Sequence, residues 1–229
     1  MKRKLWQNFK TISIHKEGTT LIFEKHYDLR GKHATLSPSQ PHWLRYSDEE
    51  LYQKYVSSYA QAMGTSLHEL AETLIANGLK LKKNDELTVL SHLLSDGIPR
   101  NVIDMERIYG NLRNYVNDAV GFKLIPEQIL YYSPYCYGTA DAISFRNNFL
   151  RIHDLKTGTA PAKMEQLLVY AALFCLEYKV KPGEIDVELC IYQNDEIIHH
   201  EPTADDILPV MDCIIQHSRT LERIHEEGM

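Results

Sequence analysis

The stretch between Tyr137 and Lys156 constrains the fold more than any other part of the chain. Residues Tyr137–Arg146 predict one strand and residues Phe149–Lys156 predict the next. Asn147-Asn148 between them suits a tight hairpin, because asparagine tolerates the left-handed backbone of such turns. The other elements must therefore be arranged around a central β-hairpin.

The flanking segments predict helices before the hairpin and a mixture of helices and strands after it. In chain order, the predicted elements are a strand over Thr20–Tyr27, a helix over Asp48–Met63, a helix capped by Ser66 and ended by Gly78, two helices within 85–121, a strand over Glu127–Ser133, the hairpin, a helix from Pro161 through Tyr178, strands over Ile185–Ile191 and Glu196–His200, and a helix opened by Thr203. This order predicts an α/β fold with a mixed central sheet, helices on both faces and an N-terminal helical layer.

Length and composition limit the functional classes. The 229 residues suit one domain, and 44% hydrophobic with 24% charged residues argue against a disordered chain. No apolar run reaches the roughly 18 residues that cross a bilayer, and none follows the basic N-terminus, so we expect a cytoplasmic protein without a membrane partner. The net charge of −6 disfavours a protein that coats nucleic acid, but it leaves room for a narrow basic groove.

The cysteines do not predict a metal or disulfide framework. No two of them form a C-x-x-C pair and their spacing is irregular, so most are interpreted as buried small hydrophobic residues. The histidines His199, His200 and His217 also show no spacing typical of ligands. The four cysteines are Cys136, Cys175, Cys190 and Cys213.

A set of polar residues on and after the hairpin predicts a catalytic site. Asp154 and Lys156 share one face of their strand, and the hairpin places Asp141 beside them. Carboxylates at the end of a sheet suit a hard divalent cation, and a neighbouring lysine can orient a water or stabilise the charge of a reacting phosphate. Gln166 and Tyr170 lie four residues apart on the next predicted helix, so they share a face that can look back at this site.

These residues resemble the PD-(D/E)xK nuclease superfamily, and more narrowly its RecB-type and viral exonuclease branch, which includes the lambda exonuclease and YqaJ-like members. The resemblance rests on Asp141, Asp154-Leu155-Lys156 and Gln166-x-x-x-Tyr170 in that order. It extends to Gly64-Thr-Ser-Leu-His68, which is similar to an upstream helix element of the branch, to Glu127 as the acid of the preceding strand, and to Gly138-Thr-Ala-Asp141. It covers roughly residues 60–195, and the second acid is Asp154 where glutamate is commoner.

The resemblance implies a fold and a role for each matching residue. The fold would be a restriction-endonuclease-like core within a single nuclease domain over 1–229, with the core at roughly 60–195, an N-terminal segment over 1–59 and a C-terminal helix over 203–227. The implied roles are metal ligation by His68, Asp141, Asp154 and the Leu155 carbonyl, assistance by Glu127 directly or through water, activation of the attacking water by Lys156, and positioning of water or substrate by Gln166 and Tyr170.

The implied function is a DNA nuclease that depends on Mg²⁺ or Mn²⁺, with two ions. The first choice is an exonuclease of recombination, repair or viral DNA processing in a bacterial or virus-infected cell, which leaves a 5′-phosphate and a 3′-hydroxyl. Its expected partners are DNA, a single-strand annealing or other recombination protein, and further copies of the chain. No iron–sulfur cluster is expected, because the cysteines lack the spacing of the staple found in some relatives.

Three alternatives stay open at this point. One is a structure-specific endonuclease of the same fold, and another is cleavage of RNA, since no reader of the 2′-hydroxyl is visible. The third is a catalytically silent subunit for DNA binding or assembly. The intact set of Asp141, Asp154 and Lys156 argues against a silent subunit, because buried unpaired acids are costly without a function.

Overall fold

A computed structural model describes residues 26–29 and 34–228 of the protein. The helices are α1 (Asp48–Ser58), α2 (Ala60–Ala76), α3 (Glu86–Ser95), α4 (Met105–Phe122), α5 (Glu165–Tyr178) and α6 (Ala204–Glu227). The strands are β1 (Ile125–Ser133), β2 (Cys136–Arg146), β3 (Phe149–Leu155), β4 (Asp186–Gln193) and β5 (Glu196–His200). The strand predicted over Thr20–Tyr27 lies outside the described residues except for its end, where a short 3₁₀ helix spans Tyr27–Leu29.

The chain divides into two compact units, residues 1–45 and residues 46–229. In the described part of the first unit, a 3₁₀ helix spans Pro41–Arg45, and the Trp43 indole N–H donates to the Ser37 carbonyl over 2.8 Å. The second unit contains α1–α6 and β1–β5.

The strands form one mixed sheet in the order β1-β2-β3-β4-β5. The pair β3 and β4 is parallel, while the other neighbouring pairs are antiparallel. Helix α5 makes the crossover between β3 and β4, because parallel neighbours cannot be joined by a tight turn. The predicted hairpin is confirmed: Asn147 and Asn148 have φ values of 52° and 58°, the left-handed conformation that such a turn requires.

Helices cover both faces of the sheet, as predicted. On one face, α2, α3 and α4 pack a core that includes the fully buried Val89, Leu112 and Val116. On the other face, α5 and α6 pack a core that includes Leu167 and Ile207. The α/β fold with a mixed sheet, flanking helices and N-terminal helices is therefore confirmed. Among the helices that the structure describes, none is long and apolar enough to cross a membrane.

The boundary between the first two helices lies at Tyr59, and the break predicted at Gly64 is wrong. Ser66 does not cap a helix, because it lies inside α2, where its buried hydroxyl donates to Asp96 Oδ2 over 2.5 Å. Gly64 is a packing residue: a Cβ there would lie only 3.1 Å from the Thr157 hydroxyl oxygen. The glycine therefore allows α2 to approach the chain that follows β3, without ending the helix.

The start predicted for α5 is also wrong, since this helix begins at Glu165 and not at Pro161. The preceding residues are held in a loop by Gln193, which bonds the backbone of Gly158, Ala160 and Ala162. The last helix does open after Thr203, whose backbone N–H and hydroxyl both donate to Asp206 over 2.8 Å.

The placement of Ser66 gives a stability prediction. In a double-mutant cycle, Ser66→Ala and Asp96→Ala should be coupled by about 1–2 kcal/mol in the free energy of unfolding, because each variant removes the same hydrogen bond to a carboxylate. Urea denaturation measures this energy. The control is Ser95→Ala, whose hydroxyl donates to the Ser91 carbonyl, and it should be additive with Asp96→Ala. Additive effects of the Ser66 and Asp96 variants would contradict the placement of Ser66 within α2.

Candidate functional site

The two acids and the lysine meet in one pocket at the carboxyl end of β3. Lys156 Nζ lies 2.9 Å from Oδ1 and 2.8 Å from Oδ2 of Asp154. Asp141, on β2, accepts a hydrogen bond of 3.0 Å from the Leu155 backbone N–H. Because Leu155 lies between Asp154 and Lys156 in the chain, this bond draws the Asp141 carboxylate to the same end of the sheet.

The Asp154 carboxylate is buried and incompletely satisfied. Only 1% of its side chain is exposed. Although Oδ2 lies within ion-pair distance of Lys156, no group in the described chain gives it a hydrogen bond of acceptable geometry. Buried polar atoms almost always have a partner, since an unpaired one costs free energy. Oδ2 therefore pairs with the Lys156 charge without a hydrogen bond and keeps a lone pair that could bind a metal ion.

Repulsion between the two carboxylates perturbs Asp141. Burial and the nearby charge of Asp154 raise the pKa of Asp141 to about 7, while the Leu155 N–H and Lys156 act in the opposite direction. The pocket therefore disfavours two ionised acids, first because it is buried and second because the two charges repel. A bound cation would supply compensating positive charge.

His68 and Glu127 complete a possible ligand set around Asp141. His68, on α2, places Nδ1 at 3.5 Å from Asp141 Oδ2. The ligand atoms of His68, Glu127 and Asp141 all lie within 4.8 Å of one another. Burial lowers the pKa of His68 despite the neighbouring acids, and a hydrogen bond with the Leu155 backbone opposes this lowering. A neutral imidazole is the form that binds metal.

The backbone of Glu127 has an unusual conformation within β1. Its φ is 49°, while the pairs Pro126–Ala142 and Gln128–Ala140 on either side keep the register that places Glu127 opposite Asp141. A left-handed conformation costs a non-glycine residue about 1–2 kcal/mol, and such strain concentrates at functional sites. Burial and the charge of Asp141 raise the pKa of Glu127. These observations place Glu127 beside the two central acids.

Gln166 and Tyr170 extend the site through a chain of hydrogen bonds. Lys156 Nζ donates to Gln166 Oε1 over 2.9 Å, and Gln166 Nε2 donates to the Tyr170 hydroxyl over 3.3 Å. Gly138 explains the position of the tyrosine, since a Cβ at residue 138 would lie 3.0 Å from Tyr170 Cε1. The structure thus brings together every predicted site residue.

Two supporting residues were missed by the sequence analysis. Gln193, which is 4% exposed, donates to the carbonyls of Gly158 and Ala160 over 2.7 and 2.8 Å and accepts from the Ala162 N–H over 2.9 Å. It therefore fixes the loop that joins Lys156 to α5. Arg107, on α4, donates to the carbonyl of residue 157 over 2.9 Å. No pattern in the neighbouring sequence indicates that either residue supports the site.

A cavity of about 360 Å³ opens beside the acids and is itself acidic. A site with several carboxylates suits a hard cation that brings its own waters. The cavity is lined by Thr65, His68, Glu69, Glu72, Glu127, Thr139 and Asp141.

A second group of side chains with ligand spacing lies elsewhere on the sheet. The ligand atoms of His153, Glu188 and Cys190 are also within 4.8 Å of one another. His153 and Cys190 are paired between β3 and β4.

Comparison with protein families assigns the chain to one family. Residues 33–194 match DUF2800, which is described as a protein of unknown function, and this match spans more than half of the chain. The chain belongs to the DUF2800 family. No curated protein and no solved structure matches this DUF2800 protein.

The titration of Asp141 gives a prediction for metal-free protein. Its folded-state pKa of about 7 lies above the ordinary value of 3.8, so the folded protein holds a proton that the unfolded chain releases. The contribution of Asp141 to the free energy of unfolding should therefore fall as the pH rises from about 4 to about 7. Asp141→Asn keeps an oxygen for the Leu155 N–H but lacks the charge. We expect urea unfolding with EDTA to show a more favourable stability of Asp141→Asn relative to wild type at about pH 8 than at about pH 5. An equal stability difference at both pH values would contradict the raised pKa.

Proposed function

We propose that this DUF2800 protein is a metal-dependent nuclease that hydrolyses DNA phosphodiester bonds. The observation that carries the proposal is the buried Asp154 carboxylate, which shares one pocket with Asp141 and Lys156 and retains an unsatisfied oxygen. The resemblance to PD-(D/E)xK nucleases supports the same conclusion. The first choice is an exonuclease of recombination, repair or viral DNA processing in the cytoplasm of a bacterium or a virus-infected cell.

The donor set fits Mg²⁺ or Mn²⁺. Carboxylate and carbonyl oxygens dominate it, and these are the ligands that hard cations prefer. Asp141, Asp154 and the Leu155 carbonyl would hold one ion, with His68 and Glu127 available for that ion or for a second. When bound, such ions supply Lewis-acid polarisation of the scissile phosphate.

Lys156 has the chemistry to act on the attacking water. Its Nζ is held between Asp154 and Gln166 over 2.8–2.9 Å, so its position is fixed before substrate arrives. An ammonium there can orient a water or stabilise the negative charge that develops on the phosphate oxygens. Gln166 and Tyr170 are placed to hold that water or a neighbouring phosphate.

DNA must approach a negatively charged protein. The net charge is −6 and the cavity beside the acids carries further carboxylates, which repel a phosphate backbone in the absence of cations. We therefore propose that metal ions, together with a recombination partner or further copies of the chain, contribute to DNA binding. Binding measured against salt concentration, with and without Mg²⁺, addresses this point.

Degradation of labelled DNA tests the function directly. Linear duplex, single-stranded and closed circular DNA, with matched RNA, are incubated with the full chain in Mg²⁺, Mn²⁺ or EDTA. We expect metal-dependent loss of the linear DNA and survival of the circle, which separates an exonuclease from an endonuclease. Asp154→Asn and Lys156→Ala should each lower the rate roughly 100-fold or more, because each removes charge from the reacting centre.

The control for Lys156→Ala is Lys181→Ala. Lys181 also forms an ion pair of 2.8 Å, with Glu184, but it precedes β4 and so lies at the opposite end of the parallel strands. Activity that persists in EDTA or in the Asp154 and Lys156 variants would remove this site from the proposal. Metal binding without cleavage of any substrate would favour a silent subunit.

The contact between Gly138 and Tyr170 gives a second activity prediction. Gly138→Ala should slow cleavage about 10- to 100-fold, because the added Cβ displaces the tyrosine ring and with it the chain of bonds to Lys156. The rate of single-turnover cleavage measures this effect. The matched control is Gly183→Ala, where the added Cβ makes only an ordinary contact of 3.9 Å. Equal rates for both variants would show that Tyr170 does not support the reaction.

A further inference from the structure

Three strands align a row of metal-ligand side chains on the face of the sheet that α4 covers. His153 on β3 pairs with Cys190 on β4, and Cys190 pairs with His199 on β5. Side chains of directly paired residues project from the same face. Glu188 lies two residues before Cys190 and therefore shares that face. The row thus brings one imidazole, a thiol and a carboxylate together, with the His199 imidazole on the far side of Glu188.

The distances among His153, Glu188 and Cys190 are compatible with one ion, and His199 contacts the other oxygen of Glu188. His153 Nε2 lies 3.4 Å from Glu188 Oε1, and His199 Nε2 lies 3.6 Å from Glu188 Oε2. Zinc bonds of about 2.0–2.3 Å in tetrahedral geometry separate neighbouring ligand atoms by about 3.3–3.6 Å. Cys190 lies within 4.8 Å of His153 and Glu188, measured between ligand atoms. Side-chain rotation of the half-exposed His199 would complete the set.

The hydrogen bonds behind His153 direct its free nitrogen towards Glu188. The Tyr192 hydroxyl donates its proton to Asp118 over 2.9 Å, so its 3.1 Å contact with His153 Nδ1 requires that nitrogen to be the donor. In the neutral ring, Nε2 then carries a lone pair that faces a carboxylate oxygen. Two acceptors at 3.4 Å need a proton or a metal ion between them. Ligating histidines are typically oriented by such a bond from their other nitrogen.

The charges around the group are compatible with a divalent ion. Arg151 bonds Glu188 Oε1 over 2.9 Å and stacks on the rings of Phe122 and Phe149, so it orients the carboxylate from the edge of the group. Burial raises the pKa of the Cys190 thiol to about 12, and a coordinating metal deprotonates a thiol outright. A thiolate and a carboxylate together balance the charge of one divalent ion. Glu201, at 3.7 Å from His199, adds a further acid at the solvent side.

We propose that His153, Glu188, Cys190 and His199 form a zinc site that ties β5 to β4 and β3. Thiolate and imidazole ligands select zinc over Mg²⁺, which separates this site chemically from the carboxylate pocket at Asp154. Four protein ligands leave no open position, so the ion is structural. Its main effect is on β5, an edge strand paired only with β4 in the described sheet.

Cobalt spectroscopy on the full chain tests the site. Metal-stripped protein is titrated with Co²⁺, which gives a thiolate-to-metal charge-transfer band only when a cysteine binds, and then with Zn²⁺ in competition. We expect one equivalent of Co²⁺ to produce the band and Zn²⁺ to abolish it. Cys190→Ser should lose the band. Cys213→Ser should keep it, which controls for the pair formed by Cys213 and His217 at 3.5 Å on α6.

If Cys190→Ser does not fold, a variant of the more exposed His199 still tests the site. His199→Ala should weaken Zn²⁺ binding about tenfold or more, whereas His200→Ala, on the other face of β5, should not. Asp154→Asn should leave the band unchanged, so the outcome is independent of the proposed nuclease function. Absence of the band, or its loss in Cys213→Ser with retention in Cys190→Ser, would overturn the proposal. The first of these results would indicate that His153 and Glu188 only hydrogen-bond to each other.

Discussion

Electrostatic repulsion between Asp141 and Asp154 is the constraint around which this structure is organised. Charges repel strongly where little water screens them, and both carboxylates are largely buried. The Leu155 N–H and the Lys156 ammonium offset part of this repulsion, but burial and the charge of Asp154 still raise the pKa of Asp141 to about 7. We propose that a cation bound between the two acids offsets this cost.

The two proposed metal sites include adjacent residues of β3. Asp154 lies beside Lys156, which bonds Gln166 of α5, while His153 faces α4 and lies near the Cys190 thiol and the Glu188 carboxylate. Neighbouring residues of a strand point to opposite faces, so the two sites stay apart although their residues adjoin in sequence. The parallel pairing of β3 with β4 supports both, since it positions Cys190 beside His153 and anchors the Lys156 N–H on the Tyr192 carbonyl.

The sequence predicts those parts of the site that depend on local pattern. Asp141, Asp154 and Lys156 could be placed together because a hairpin and the alternation of a strand determine their relation. The sequence could indicate Glu127 as a site residue. It could not indicate the left-handed backbone of Glu127, which is a property of the folded structure. The helix break predicted at Gly64 was wrong. A glycine is needed there because the helix packs closely against Thr157, which is distant in sequence. The row from His153 to His199 depends on the register of three strands, which spacing along the chain does not encode.

Anomalous diffraction from a crystal of the full chain soaked in Mn²⁺ would show whether the two acids bind a cation. We expect a manganese peak between the carboxylates of Asp141 and Asp154, within bonding distance of both and of the Leu155 carbonyl. A structure at saturating Mn²⁺ with no peak in this pocket, and with Asp154 Oδ2 bonded to a protein group or a water, would contradict it.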